Sequence, residues 1–518
     1  MNEEIEADGL PPDRQAGVCL HITSLPGRFG IGEIGREALG FVDTLRRMQL
    51  GVWQFLPTGP TAYGDSPYQP LSTFAGNEMM IGTGDLLASG LLRPAEAAAL
   101  EALPQHTVDY GALIPLKTVL LRTAADRFDR VADSALKSAR DDFCERNDSA
   151  WLRDYARYRI LKSRHGERPW PEWEPRYVHR EAAALARIEA DAGAEIDAIR
   201  TIQFLFHHQW HRLRRYANEQ GIRLFGDMPI YIALDSADAW ANRDLLQVDS
   251  DGRPEFVAGV PPDYFSADGQ LWGNPLYDWE KHAASGYRWW IERLQASLQL
   301  ADLVRIDHFR GFEAYWSVPA GAETAREGTW LPGPGDGIFE AIRRELGELP
   351  IVAENLGIIT PEVEALRERH NLPGMIVLQF AVADPDFALH EVPPDCVCYT
   401  GTHDNDTTRG WFTGSPDDLR SPEEIERTRR AALEITGGTP ETIHHDLIRA
   451  AFSTQAGLAI ALMQDYLGLG SEARINTPGT SAGNWRWRLD AAHVTEPFLD
   501  HMAVLVDASQ RTPPRQGG

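Results

Sequence analysis

The chain has 518 residues, 50 of them Lys or Arg and 76 Asp or Glu, for a formal charge of −26. Such acidity excludes a nucleic-acid groove or an anionic membrane surface as partner, because either needs a dense basic patch. The 43% of hydrophobic residues suffices for a large core, yet no apolar run approaches the ~18 residues that span a bilayer.

The N-terminus is acidic and lacks a basic-then-apolar signal pattern. Four cysteines cannot form a disulfide framework in a chain this long. A soluble cytoplasmic protein is therefore expected.

Short apolar runs occur at 17–22, 51–57, 221–227, 301–307, 350–355, 374–381, 396–404 and 457–465. Most are nearly continuous rather than alternating, as expected of parallel strands buried on both faces. Helical patterns at 35–49, 285–299 and 337–346 lie between them. An eightfold strand–helix alternation predicts an α/β chain folded as a (β/α)8 TIM barrel. The eighth run is equally compatible with a helix segment.

The spacing of the runs is uneven. Residues 75–220 read as a mainly helical inserted subdomain after the second strand, with strong helix formers at 179–200 and a Pro-rich break at 169–175. A loop insertion at about 228–284 precedes the fourth run. The expected barrel thus comprises 15–74 and 221–505, with disordered tails at 1–14 and 506–518.

Many Trp and Tyr residues fall in Gly/Pro/Asp-rich segments rather than at helical or strand spacing. Examples are AYGDSPYQP (62–70), PDYFSADGQLWGNPLYDW (262–279) and NWRWRL (484–489). Loop aromatics beside polar edges suit a sugar ring, which has apolar faces and hydroxyl rims.

In such a barrel the active site sits where strands end at the C-terminal face. Asp227 ends the third run, Arg305 and Asp307 the fourth, Glu354 the fifth, and His403 and Asp404 the seventh. The acids come from different strands and can converge at the barrel mouth. Three acids and an arginine suit glycoside chemistry, with one carboxylate as nucleophile and another as proton donor. Arg305 lies two residues before Asp307, so both share a strand face, where a guanidinium can orient a nucleophilic carboxylate. Helix capping and divalent-metal binding, the latter with Asp404-Asn405-Asp406 as the nearest ligand-like spacing, remain open alternatives.

The segments VRIDHFRGF (304–312), AENLG (353–357), TGTHDNDT (400–407) and GDMPIY (226–231) resemble the conserved regions of the 4-α-glucanotransferase (amylomaltase) family, relatives of the α-amylases. The resemblance extends through YGDSPYQP (63–70), PPDYFSADGQLWGNP (261–275) and RINTPGTSAGNWRWR (474–488), covering about 17–490.

It implies transfer of α-1,4-glucan segments between malto-oligosaccharides by a retaining double displacement. Asp307 would be the nucleophile, Glu354 the general acid and then base, and Asp404 the transition-state stabiliser. Arg305, Asp227, His403 and His308 would surround the sugar. Tyr68 and Trp272 would stack on it, with Gln270, Asp263, Asn355 and Asn476 as polar contacts. The family implies no nucleotide or organic cofactor and no catalytic metal. A retaining α-glucan hydrolase and a non-catalytic α-glucan-binding protein are the competing readings.

One departure stands out. Asn355 occupies a position where the family commonly has Asp, giving E-N-L-G for E-D-L-G. Losing a negative charge there removes one influence that raises the pKa of Glu354, predicting an acid limb shifted from that of close relatives. Cys396 and Cys398 share a strand face and read as core, as does Cys19.

Overall fold

The computed structural model describes residue 10 and residues 13–262, 268–415, 418–480 and 482–513. Its centre is a (β/α)8 barrel. Among the described residues there are twelve strands: β1 (Gln15–Cys19), β2 (Val52–Gln54), β3 (Arg223–Met228), β4 (Phe256–Val260), β5 (Gln270–Pro275), β6 (Leu303–Ile306), β7 (Ala314–Pro319), β8 (Thr329–Pro332), β9 (Ile351–Ala353), β10 (Gly374–Val377), β11 (Cys396–Tyr399) and β12 (Leu458–Leu462). Eight of them form one parallel sheet in the order β10-β11-β12-β1-β2-β3-β6-β9. Each of these eight overlaps one of the eight apolar runs, with β1 beginning two residues before its run and β3 ending one residue past its own, and the ambiguous last run is a strand followed by a helical turn at Met463–Tyr466.

Continuous hydrophobicity hides a period of two. Val52, Phe225, Leu303, Val352, Val397, Leu458 and Ile460 pack together inside the barrel. Their strand neighbours Trp53, Leu224, Val304, Ile351, Cys396, Cys398, Ala459 and Ala461 face the helices. Both faces are buried, so neither needs polar residues. The inner row is polar only near the strand ends, which makes those polar residues conspicuous.

The strand–helix alternation is complete except between β10 and β11. That connection carries only short turns, Leu378–Ala381 and Leu389–Glu391. Pro385, Pro393 and Pro394 there lack the N–H that a longer helix requires.

The excursion between β2 and β3 is helical from Thr83 to Glu219 and ends in the 27-residue helix Gly193–Glu219. Its apolar residues Leu113, Leu121, Phe128 and Phe204 join the same core as the barrel's outer face. A buried ion pair between Lys117 Nζ and Glu33 reinforces this union, with Thr83 Oγ1 donating to Glu33 at 2.6 Å.

Two expectations need correction. The stretch 228–284 is more than loop: β4 and β5 lie there and join β7 and β8 in an antiparallel sheet ordered β5-β4-β7-β8. The sequence QLWGNP of β5 has little strand propensity, and its pairing with β4, irregular between Val257 and Gly259, decides its conformation.

Nor does a disordered tail begin at 506. The helix Glu496–Ala508 continues through it, and the fully buried Arg511 donates to the carbonyls of Phe452, Gln15 and Thr454. A guanidinium has enough donors to satisfy three such carbonyls at once. At the other end, Arg14 donates to the Phe452 carbonyl at 2.9 Å. Among the described residues no helix is long and apolar enough to cross a membrane.

Candidate active site

The inner row of the barrel assembles the site. Phe225 and Leu303 point inward, so Asp227 and Arg305, two residues further along β3 and β6, do the same. The parallel register pairs Asp227 directly with Arg305. The Arg305 guanidinium donates to both Asp227 oxygens at 2.8 Å and to Asp307 Oδ1 at 2.6 Å. Its side chain is 5% exposed and that of Asp227 is 0% exposed, whereas Asp307 reaches the open side at 30%. Arg305 thus holds one oxygen of Asp307 while the side chain reaches the open side of the barrel.

Glu354 follows β9 and shares the inward face of Val352. Its two oxygens accept from the backbone N–H groups of His308 and Leu356, each at 2.7 Å. Residue His308 adopts φ 52°, a left-handed conformation uncommon outside glycine, as its N–H meets Glu354. Burial, aided by the neighbouring Asp307 charge, raises the Glu354 pKa from 4.5 to about 7, against the pull of Arg305 and the two N–H groups. Such a carboxyl holds its proton near neutrality.

Asp404 is tuned the other way. Partial desolvation pushes its pKa up, but the His403 imidazole at 3.3 Å and the Asn476 amide at 2.7 Å overcome this and hold it at about 2. The His403 ring stacks on Tyr68 with centroids 4.9 Å apart, and the Tyr68 hydroxyl donates to Asp227 Oδ2 at 2.7 Å. Tyr68 thereby ties the Asp227–Arg305–Asp307 chain to the His403–Asp404–Asn476 chain. Trp272 Nε1 donates to Gln270 Oε1 at 3.2 Å, and its ring meets that of His308 edge-on at 4.7 Å. Among the described residues, buried His308 Nε2 has no hydrogen-bond partner, and desolvation lowers the ring's pKa to about 4.

Of the residues singled out in the sequence, Asn355 is not brought into this network. It turns outward, accepting from Met375 N–H and donating to Glu364, each at 2.8 Å. Strand alternation explains the direction, since its neighbour Glu354 faces in. Asp263 lies outside the described residues. The ligand-like triplet after the seventh strand also splits up. Asn405 caps Thr402, and Asp406 accepts from Thr407 N–H and Ser471 Oγ.

Two contributors escaped the sequence reading. Trp485 packs behind the Tyr68 and His403 rings, at 5.9 and 6.1 Å. Arg474 donates to the Asp404 carbonyl and to that of Asn476. Their positions within RINTPGTSAGNWRWR, already notable for its loop aromatics, were the available signal.

Comparison with known proteins bears directly on this arrangement. Residues 20–494 match the 4-alpha-glucanotransferase family (Glyco_hydro_77). The chain belongs to that family. It is 44% identical to the 4-alpha-glucanotransferase of Synechocystis sp. over 95% of this chain and 97% of the relative. Identity to the Thermus thermophilus 4-alpha-glucanotransferase is also 44%, over 96% and 99% of the two chains.

The crystal structure of the Streptococcus agalactiae amylomaltase in complex with acarbose superposes with a TM-score of 0.90 at 35% identity, covering 96% of this chain and all of that one. Membership establishes the activity class as 4-α-glucanotransferase, a glycosyl transfer acting on α-1,4-glucans.

Proposed function

We propose that the chain transfers α-1,4-glucan segments between malto-oligosaccharides, with glucose also serving as acceptor, by a retaining double displacement through a covalent glycosyl-aspartate. In the first step the free Asp307 oxygen bonds to the anomeric carbon as the bond to the leaving sugar oxygen breaks. The Glu354 proton passes to that oxygen. In the second step the 4-hydroxyl of an incoming glucan gives its proton to Glu354 while its oxygen displaces Asp307. Each displacement inverts the anomeric centre, so the pair restores the α-linkage.

The observation that carries this reading is the contrast between neighbouring carboxyls. Asp307 is held by a guanidinium at 2.6 Å, while Glu354 is buried with its pKa raised to about 7. An acid in that state is protonated when the leaving group needs it and ionised when the acceptor must lose a proton. Asp404, ionised down to about pH 2, supports the positive charge that develops on the sugar and accepts from its hydroxyls. Tyr68 and His403 furnish the wall beside it, and Trp272 and Gln270 extend the surface towards the acceptor. The four unpaired cysteines fit the reducing cytoplasm as the compartment.

Incubation with maltotriose alone tests the reading. A ladder of longer oligosaccharides with glucose is expected. Shorter products only would mean hydrolysis, and unchanged maltotriose would mean a binding protein. Asp307→Ala should abolish turnover, and near-normal activity in that variant contradicts the nucleophile assignment. Acarbose, held by the Streptococcus agalactiae relative, should compete with maltotriose.

A further inference from the structure

The barrel ladder has one gap. Hydrogen-bonded pairing runs from β10 round to β9, and among the described residues these two strands share no ladder with each other. The seam is bridged instead by two isolated contacts, Ala353 N–H to the Pro373 carbonyl at 2.8 Å and Met375 N–H to Asn355 Oδ1 at 2.8 Å. The other end of the same amide, Asn355 Nδ2, donates to Glu364 Oε1 at 2.8 Å.

Glu364 sits on the helix Pro361–Arg369 that connects the two strands, and its second oxygen accepts from Arg367 Nε at 2.8 Å. Arg367 in turn donates to the Leu372 carbonyl at 2.7 Å, just before β10. The packing leaves no slack, because a Cβ on Gly374 would lie 3.0 Å from Asn355 Nδ2.

Asn355 stands between Glu354 and Leu356, and Leu356 N–H is one of the two donors that fix the Glu354 carboxylate. We propose that Asn355 is a positioning residue for Glu354: its side-chain amide closes the β9–β10 seam and so sets the Leu356 N–H that orients the carboxylate. This rests on the acid/base role proposed for Glu354.

The amide is required chemically. An aspartate can accept from Met375 but, once ionised, has no hydrogen for Glu364, and two carboxylates would meet across the distance now bridged by N–H···O. The charged groups facing Glu354 itself are Asp307 and Arg305 from β6 and its following turn. Those around Asn355 are Glu364 and Arg367, with Glu368 and Asp395 reaching Arg367 at 3.7 and 3.9 Å.

The test is a charge-relocation pair, assayed with maltotriose as substrate. Asn355→Asp should lower kcat about tenfold and leave KM within about twofold, since substrate contacts are untouched. It should also raise the alkaline limb of the pH profile by about half a unit or more, because a stabilising donor to the carboxylate is misplaced and a like charge is added. Glu364→Gln alone should stay within about twofold of the parent in kcat.

The double variant N355D/E364Q restores a donor opposite an acceptor at unchanged net charge, and should return kcat to within about threefold and the limb to its original place. An N355D enzyme with the parent's kcat or an unmoved limb overturns the proposal, as does a double variant as impaired as N355D. If N355D does not fold, an active double variant supports the complementarity, and one equally unable to fold overturns it. Glu354→Gln, with Asn355 intact, separates the two levels: an active E354Q refutes the acid/base reading itself, whereas an inactive E354Q beside an unaffected N355D refutes only the positioning role.

Discussion

Replacing Glu354 by Gln should inactivate the protein and yet stabilise it in alkali. Sign and size follow from the site. Burial, first, and the Asp307 charge raise the Glu354 pKa from 4.5 to about 7. The folded state therefore holds this proton more tightly than the unfolded chain between these two pH values. Stability falls as pH rises through that window, because the unfolded state ionises freely and the folded one does not.

The loss grows to roughly 3 kcal/mol above pH 7, of which about 1 kcal/mol is already present near pH 5. Glutamine does not titrate and escapes it. Against this, Glu354 accepts from both His308 and Leu356 N–H, and an amide can satisfy only one of them, a cost of about 1–2 kcal/mol. The difference between E354Q and the parent should run from slightly unfavourable near pH 5 to about 2 kcal/mol favourable near pH 9.

Urea unfolding of both proteins at several pH values measures it directly. A difference that stays flat from pH 5 to pH 9, or that favours the parent more strongly in alkali, refutes the argument.

Two further expectations follow from the same geometry and from the fold. Because an acid must be protonated to donate, the acid/base role proposed for Glu354 assigns it the alkaline limb of the activity profile rather than the acid limb, so transfer from maltotriose should decline above about pH 7; a rate that keeps rising beyond pH 9 counts against Glu354 as the donor. Lys117→Met strands the buried Glu33 carboxylate and should cost about 3–5 kcal/mol in chemical unfolding, while Glu33→Leu with Lys117→Met recovers most of that loss.

The barrel strands were legible because a strand buried on both faces is apolar along most of its length, and the eight central strands depart from that only near their ends. Legibility failed where pairing rather than composition decides conformation. QLWGNP becomes β5 only because β4 lies beside it, and Arg511, polar in sequence, is drawn inward by three carbonyls that it alone can satisfy together.

In the site, Asp227, Arg305, Asp307 and Glu354 could be read because alternate residues on neighbouring parallel strands share the barrel interior. The same alternation turns Asn355 away from the barrel interior, which its grouping with the expected substrate contacts overlooked. Trp485 was harder to foresee. Loop residues carry no period, and its φ of 64°, unusual for so large a side chain, is set by the loop's folding against Tyr68, His403 and the Ile475 carbonyl.

The pairing of β1 with β12 has a consequence for synthesis. Gln15 lies opposite Leu458 in the ladder, a separation of about 440 residues, so the ring cannot close until most of the chain has left the ribosome. At about 5–20 residues per second, β1 emerges tens of seconds before its partner. During that interval an apolar strand exposes an unpaired edge, the feature most prone to mispairing with other chains. The helical excursion between β2 and β3 emerges in the same interval, and its core is continuous with the outer face of β1 and β2. It can shelter the face of those strands before any neighbour arrives to complete their edge. Shielding a half-built sheet during translation is a task that the finished enzyme no longer displays.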